Sequence, residues 1–167
     1  MGKGYQYFTR NLNVIISSIQ LKLGEKYTKL RSYLWGMIFY LLYYGVESFK
    51  FQQEDFDKLL EQSRERNQSL DVTGKLIYCE GTFIQLLEGN EKNVNDIYKS
   101  ITIDRRLIGT KLIASGEVKD RYFENWSMDF DQISIATINE FENCTHPNVN
   151  TYLSTAPAIK LLKLLTK

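Results

Sequence analysis

The stretch VTGKLIYCEGTFIQLLEG, residues 72–89, decides the architecture. Two apolar runs, Val72 to Cys79 and Thr82 to Leu87, are separated by Glu80-Gly81, a two-residue connection of the kind that joins antiparallel strands. Alternation along the second run puts Phe83, Gln85 and Leu87 on one face, so a primary amide projects among apolar neighbours. A buried amide left without partners costs about 1–3 kcal/mol, so a polar side chain or a ligand must meet it.

Upstream of this hairpin the period changes. In QQEDFDKLLEQSRERN, residues 52–67, Phe56, Leu59, Leu60 and Ser63 fall at helical spacing, with acids early and arginines late as a helix dipole favours. Before that helix, Ile38 to Val46 is an almost continuous apolar and aromatic run, the pattern of a central strand covered on both faces. Downstream, Asn90 to Asp104 repeats the helical stripe with Val94, Ile97, Tyr98 and Ile101, and strands are expected near Thr110 to Val118 and Trp126 to Phe130.

The order βαββαββ predicts an α+β fold, a ferredoxin-like mixed sheet with both helices on one face. The opposite face needs a cover, which the C-terminal segment can supply with Ile133, Ile135, Ile138 and Phe141, then Val149 to Leu165. Pro147 and Pro157 punctuate it, so a helix, a turn and a second helix broken or started near Pro157 are expected. The chain thus reads as a basic extension (1–36), a central domain (37–130) and a C-terminal helical cap (131–167).

Composition excludes more than it assigns. A net charge of +1 in 167 residues offers no global field for nucleic acid or an anionic membrane. Cys79 and Cys144 are far apart and His146 is the single histidine, which disfavours zinc and thiol chemistry. No GxxxxGK[ST], GxGxxG or GxSxG motif occurs, so catalysis is not the first reading. Residues 1–36 carry six bases against Glu25. They read as a basic amphipathic helix for a surface, as a loosely ordered extension, or as a segment left out by translation from Met37. Asn13 to Leu23 is too short and polar for a membrane span and has no secretory cleavage pattern, so a cytoplasmic protein is expected.

Singly, the polar residues of the apolar segments have ordinary explanations. Tyr43 could be a packing residue with its hydroxyl at a rim, Gln85 an edge residue, Asn67 a helix cap or turn residue, Trp126 core and Met128 a gap-filler. Arg64 and Arg66 would ordinarily lie on a solvated helix face.

Together they resemble the BLUF domains, which sense blue light with a flavin. The segments that carry the resemblance are YLLYY, SRERN, LDVTGKLIY, GTFIQLLEG, IYKSITIDRR and FENWSMDF, spread over Ile38 to Phe130. The resemblance implies that Tyr43 is the redox tyrosine, Gln85 the switching glutamine and Asn67 the flavin-binding asparagine. Trp126 and Met128 match the semi-conserved pair near the switch. Asp104 and Arg106 match the D-x-R segment beside the ribityl and phosphate end of the flavin. Leu107 replaces the usual histidine, Ser100 a residue that is often basic, and Arg66 stands where a second asparagine sometimes occurs. These departures concern the phosphate end, so FAD, FMN and riboflavin all stay open.

The implied chemistry is physically coherent. A flat isoalloxazine ring fits between the stripes of Leu59 and Ser63 and of Ile97 and Ile101. Asn67 would meet ring carbonyl and imide groups, and Gln85 would bridge Tyr43 to the ring. Transient transfer from Tyr43, followed by rotation or tautomerisation of Gln85, would leave a new hydrogen bond and a red-shifted absorption. The signal would then pass by Met128 and Trp126 to the C-terminal helices. The expectation is a short, stand-alone bacterial photoreceptor without enzymatic activity, acting through a downstream effector protein and homo-oligomer contacts. Two rivals are a ferredoxin-like ligand- or partner-binding module without photochemistry and a flavin-dependent redox enzyme.

Overall fold

A computed structural model describes residues 36–166, apart from Trp126 and Pro157. The readings of the basic segment before Gly36, of Trp126 and of the break at Pro157 therefore fall on residues outside the described ones. Ile38–Lys167 forms one compact unit.

In chain order the elements are β1 (Ile38–Glu47), α1 (Gln53–Ser69), β2 (Thr73–Cys79), β3 (Thr82–Gly89), α2 (Glu91–Thr102), β4 (Leu107–Val118), β5 (Asp129–Ile133), α3 (Ile135–Glu142), α4 (Val149–Thr155) and α5 (Ala158–Leu165). The strands form one sheet in the order β4-β1-β3-β2-β5. Every neighbouring pair is antiparallel except β2 and β5, so the sheet is mixed, as the element order predicts.

The hairpin forms where Glu80 and Gly81 both take positive φ, 47° and 84°. Two such residues make a turn whose twist matches its strands. Period-2 alternation then splits the side chains into two layers. Leu41, Tyr43, Phe83 and Leu87 face the helical stripes of Phe56 and Leu60 and of Val94, Ile97 and Ile101. Leu42, Ile77, Cys79, Ile84 and Leu86 face the opposite way and are covered by Ile138, Val149, Tyr152, Leu161, Leu164 and Leu165. The C-terminal segment is thus the expected cover. Its second helix is two short ones, α4 and α5, and Asn143 ends α3 in the left-handed conformation at φ 49°.

Two strand boundaries differ from the sequence reading. β4 starts at Leu107, three residues before Thr110. β5 is not Trp126 to Phe130 but Asp129–Ile133, so Ile133 belongs to the sheet, opposite Cys79, rather than to the cap. The reason lies in long-range bonds. The carbonyls of Ser127 and Met128 accept from Asn67 Nδ2 at 2.8 Å and Arg64 Nε at 3.1 Å, and are taken by α1. The ladder begins beyond them, where Lys75 pairs with Asp129 at 3.3 Å and Asp131 at 2.7 Å and sets the β2–β5 register.

Among the described residues no helix is long and apolar enough to cross a membrane, and no group of three or more His, Cys, Asp or Glu is placed to hold a metal.

Candidate functional site

Tyr43 and Gln85 point into the layer between the sheet and the two helices α1 and α2. Both are buried, at 2% and 4% exposure. The Tyr43 phenol donates to Gln85 Oε1, and Gln85 Nε2 donates to Met128 Sδ at 3.0 Å. These are the partners that a buried amide requires. A thioether is a weak acceptor, and the second N–H of Gln85 has no acceptor among the described residues. Burial pushes the Tyr43 phenol far above the ordinary tyrosine range, opposed by the nearby Arg66 guanidinium. The ring of Tyr98, 5.2 Å from that of Tyr43, completes the packing and carries no signal beyond its place in the α2 stripe.

Asn67 lies in the last turn of α1, not beyond its end, and is fully buried. Its backbone carbonyl accepts from Leu70 and Val72 and closes the helix, while its side-chain Nδ2 holds Ser127. Among the described residues Oδ1 receives only the long contacts of Arg66, at 3.4 and 3.5 Å. The two arginines read as solvated surface both reach structured partners. Arg64 holds the Met128 carbonyl, and Arg66 also donates to Ser100 Oγ at 3.4 Å, bridging α1 to α2.

A cleft opens from this buried end to the surface. Leu59 and Ser63 of α1 and Ile101 of α2 form its walls, Phe51, Leu76 and Phe83 add apolar surface, and Tyr43 and Gln85 line it. Gln62, Arg66, Asp104, Arg106 and Leu107 complete the lining. Arg106 meets Asp104 with Nε at 3.1 Å from both carboxylate oxygens and Nη2 at 2.7 Å, and its Nη1 donates to Gln62 at 3.3 Å. This pairing holds the Asp104 carboxyl below the usual carboxylate range.

Of the residues singled out in the sequence, Tyr43, Gln85, Leu59, Ser63, Ile101, Arg66, Asp104 and Arg106 line the cleft. Ile97 is core beside it, and Asn67 and Met128 are joined to it through their hydrogen bonds. Phe51, Gln62 and Leu76 were not singled out. Alternation places Leu76 on the same face as Tyr78 and could have found it, whereas nothing local marks Phe51 or Gln62. An apolar slot, the Gln85 amide at its buried end and two guanidinium groups along its lining suit a flat heterocycle with a polar edge and an anionic tail.

The family described as "BLUF: Sensors of blue-light using FAD" matches residues 38–129. Photoactivated adenylate cyclase subunit alpha of Euglena gracilis is 31% identical over 88 residues, 53% of this chain and 8% of that protein. The beta subunit of Euglena longa is 28% identical over 88 residues, again 53% of this chain and 9% of the relative. The chain thus matches less than a tenth of the length of these relatives. Among solved structures, the ground state of BlsA aligns with a TM-score of 0.68 at 23% identity, covering 78% of this chain and 88% of that one. The dark state of BlrB, a BLUF protein, aligns at 0.63 and 21% identity, covering 77% and 92%. These structures share the fold. The family match covers more than half of the sequence, from the first residue of β1 to the first of β5, and the chain belongs to the BLUF family of blue-light sensors.

Proposed function

We propose that the protein senses blue light through a flavin held between α1 and α2, with Tyr43 as electron and proton donor and Gln85 as the switching amide. The observation that carries this reading is the buried series Tyr43, Gln85, Met128, in which a phenol, a carboxamide and a weak acceptor follow one another beside the cleft. Leu59, Ser63, Ile97 and Ile101 would flank the ring. Asn67, whose Oδ1 has only long contacts among the described residues, would hold its polar edge, and Arg66, Asp104 and Arg106 its ribityl and phosphate tail. FAD is the flavin that the family description names. FMN and riboflavin would present the same ring to the same buried groups.

When bound, a flavin excited by blue light supplies a strong one-electron oxidant. Tyr43 holds its proton on Gln85 Oε1 and can release it along that bond. As the electron and the proton return to Tyr43, the amide is left rotated or tautomerised. Rotation exchanges Oε1 and Nε2, so the rearranged amide gives up its present contacts with both Tyr43 and Met128 Sδ, and these contacts favour return to the dark arrangement. Met128 directly precedes β5, so its displacement biases the packing of that strand and of the C-terminal helices on the other sheet face. Those helices are the proposed contact for a downstream effector protein or for a second copy.

The test is optical. Purified protein should be yellow, release a flavin identifiable by mass, and shift its absorption reversibly to the red under blue light. Colourless protein that ignores added FAD, FMN and riboflavin would sink this reading in favour of a binding module without photochemistry.

A further inference from the structure

Three residues past Gln85 on the same strand, Glu88 is fully buried. Its carboxyl group accepts three hydrogen bonds. Thr73 Oγ1 donates to Oε1 at 3.1 Å, the Phe123 backbone N–H to Oε1 at 2.7 Å, and the Tyr122 backbone N–H to Oε2 at 2.9 Å. Arg121 closes over the same corner, donating to Thr73 Oγ1 at 2.9 Å, to the Glu88 carbonyl at 3.2 Å and to the Asp71 carbonyl at 2.8 Å. Two consecutive backbone N–H groups on one buried carboxyl fix both the place and the orientation of that peptide.

The peptide so held belongs to the connection between β4 and β5, whose other end is Met128. That end is tied to α1, through Asn67 on the Ser127 carbonyl and Arg64 on the Met128 carbonyl. Besides the Gln85–Met128 Sδ contact itself, the Glu88 anchor ties this connection to Gln85's own strand. A shift of β3 during amide rearrangement therefore moves one end of the connection while α1 holds the other.

We propose that Glu88 is a positioning residue for the light switch, holding the Tyr122–Phe123 peptide so that Met128 Sδ stays on the Gln85 amide and setting how long the rearranged state lasts. The inference rests on the reading of Gln85 as the switch. Without the anchor, Met128 no longer favours the dark arrangement of the amide, and return to it slows.

The test uses the full chain and the conservative variant E88Q, which leaves the cleft lining intact. In the dark, E88Q should move the 13C-methyl resonance of Met128 and speed hydrogen exchange at the Tyr122 and Phe123 amides. After a blue flash its recovery should slow by about fivefold, the loss expected for one hydrogen bond. In an M128L background the same E88Q change should leave recovery unaltered. An unmoved Met128 resonance, or equal slowing in both backgrounds, overturns the proposal. If E88Q does not fold, R121Q loosens the same corner from its outer side and is read by the same measurements. Absence of any photocycle in the unsubstituted chain defeats the sensor reading, while the Met128 resonance still decides whether Glu88 positions that side chain.

Discussion

Tyr43 and Gln85 are direct cross-strand partners of β1 and β3, and the phenol of one donates to the amide oxygen of the other across 42 residues of sequence. Their alignment belongs to the whole ladder. Leu41 faces Leu87 and Gly45 faces Phe83 in the same register, and a slip by one residue would turn this entire stripe to the other side of the sheet. This hydrogen-bonded pair is therefore held by the hydrophobic pattern of two strands.

Tyr43→Phe keeps the ring against Tyr98 and removes the hydroxyl that meets Gln85. Flavin should be retained and the reversible red shift lost, with stability lowered by about 1–2 kcal/mol because the buried Gln85 Oε1 loses its donor. Difference absorbance under blue light and a thermal melt check both parts. A normal photocycle in this variant rules out the assigned role.

Gln85→Leu takes away the amide while preserving bulk. The shift should vanish, and the buried Tyr43 hydroxyl, left without its acceptor, should cost about 1–3 kcal/mol. Continued switching would show that the amide is not the moving part.

Asn67→Ala removes the bond to the Ser127 carbonyl and the amide proposed for the ring edge. Stability should fall by about 1–3 kcal/mol, and the flavin-to-protein ratio after gel filtration should drop. Full occupancy in a folded variant would exclude Asn67 as a flavin contact.

Alkaline pH should unfold the protein in a defined window. Burial pushes the Cys79 thiol from 9.0 up to about 11 and the Tyr78 phenol from 10.0 up to about 12, and raises Tyr43 and Tyr152 as well. Raised folded-state values mean that the stability these groups contribute is complete below the unfolded values. It is lost as pH climbs through that window towards the folded ones. The melting temperature should be level in this respect from pH 7 to about 9 and decline above, with the onset moved towards about 10 in Cys79→Ala. A level profile up to about pH 12 would contradict these shifts.

Gly74→Ala should be among the most damaging single changes in the sheet. A Cβ there would lie 2.1 Å from the Leu86 carbonyl oxygen, a backbone atom of the neighbouring strand. The expected loss is about 1–3 kcal/mol or more. Gly109→Ala is the contrast, with φ at +61° but nothing within 4 Å of the added atom. It should cost only the local strain, about 1–2 kcal/mol. Denaturant midpoints of the two variants rank them.

Much of the site could be read from local pattern. Periods of 2.0 and 3.6 residues are properties of short segments. For that reason Phe83, Gln85 and Leu87 could be assigned to one strand face, and Leu59, Ser63, Ile97 and Ile101 to helical stripes, before any contact was known. The two residues of the turn, Glu80 and Gly81, likewise declare the hairpin. The buried polar side chains, Gln85 above all, announced that a partner had to exist without saying which.

The rest was decided between segments far apart in the chain. Arg64 and Asn67 take the carbonyls of Met128 and Ser127, which delays β5 to Asp129 and brings the Met128 sulfur to Gln85. Glu88 and Arg121 grip the segment leading there, although neither stands out in composition or spacing. Periodicity tells a side chain which way to face. Which group meets it there depends on how distant strands and helices pack, and that information resides in no single stretch of this sequence.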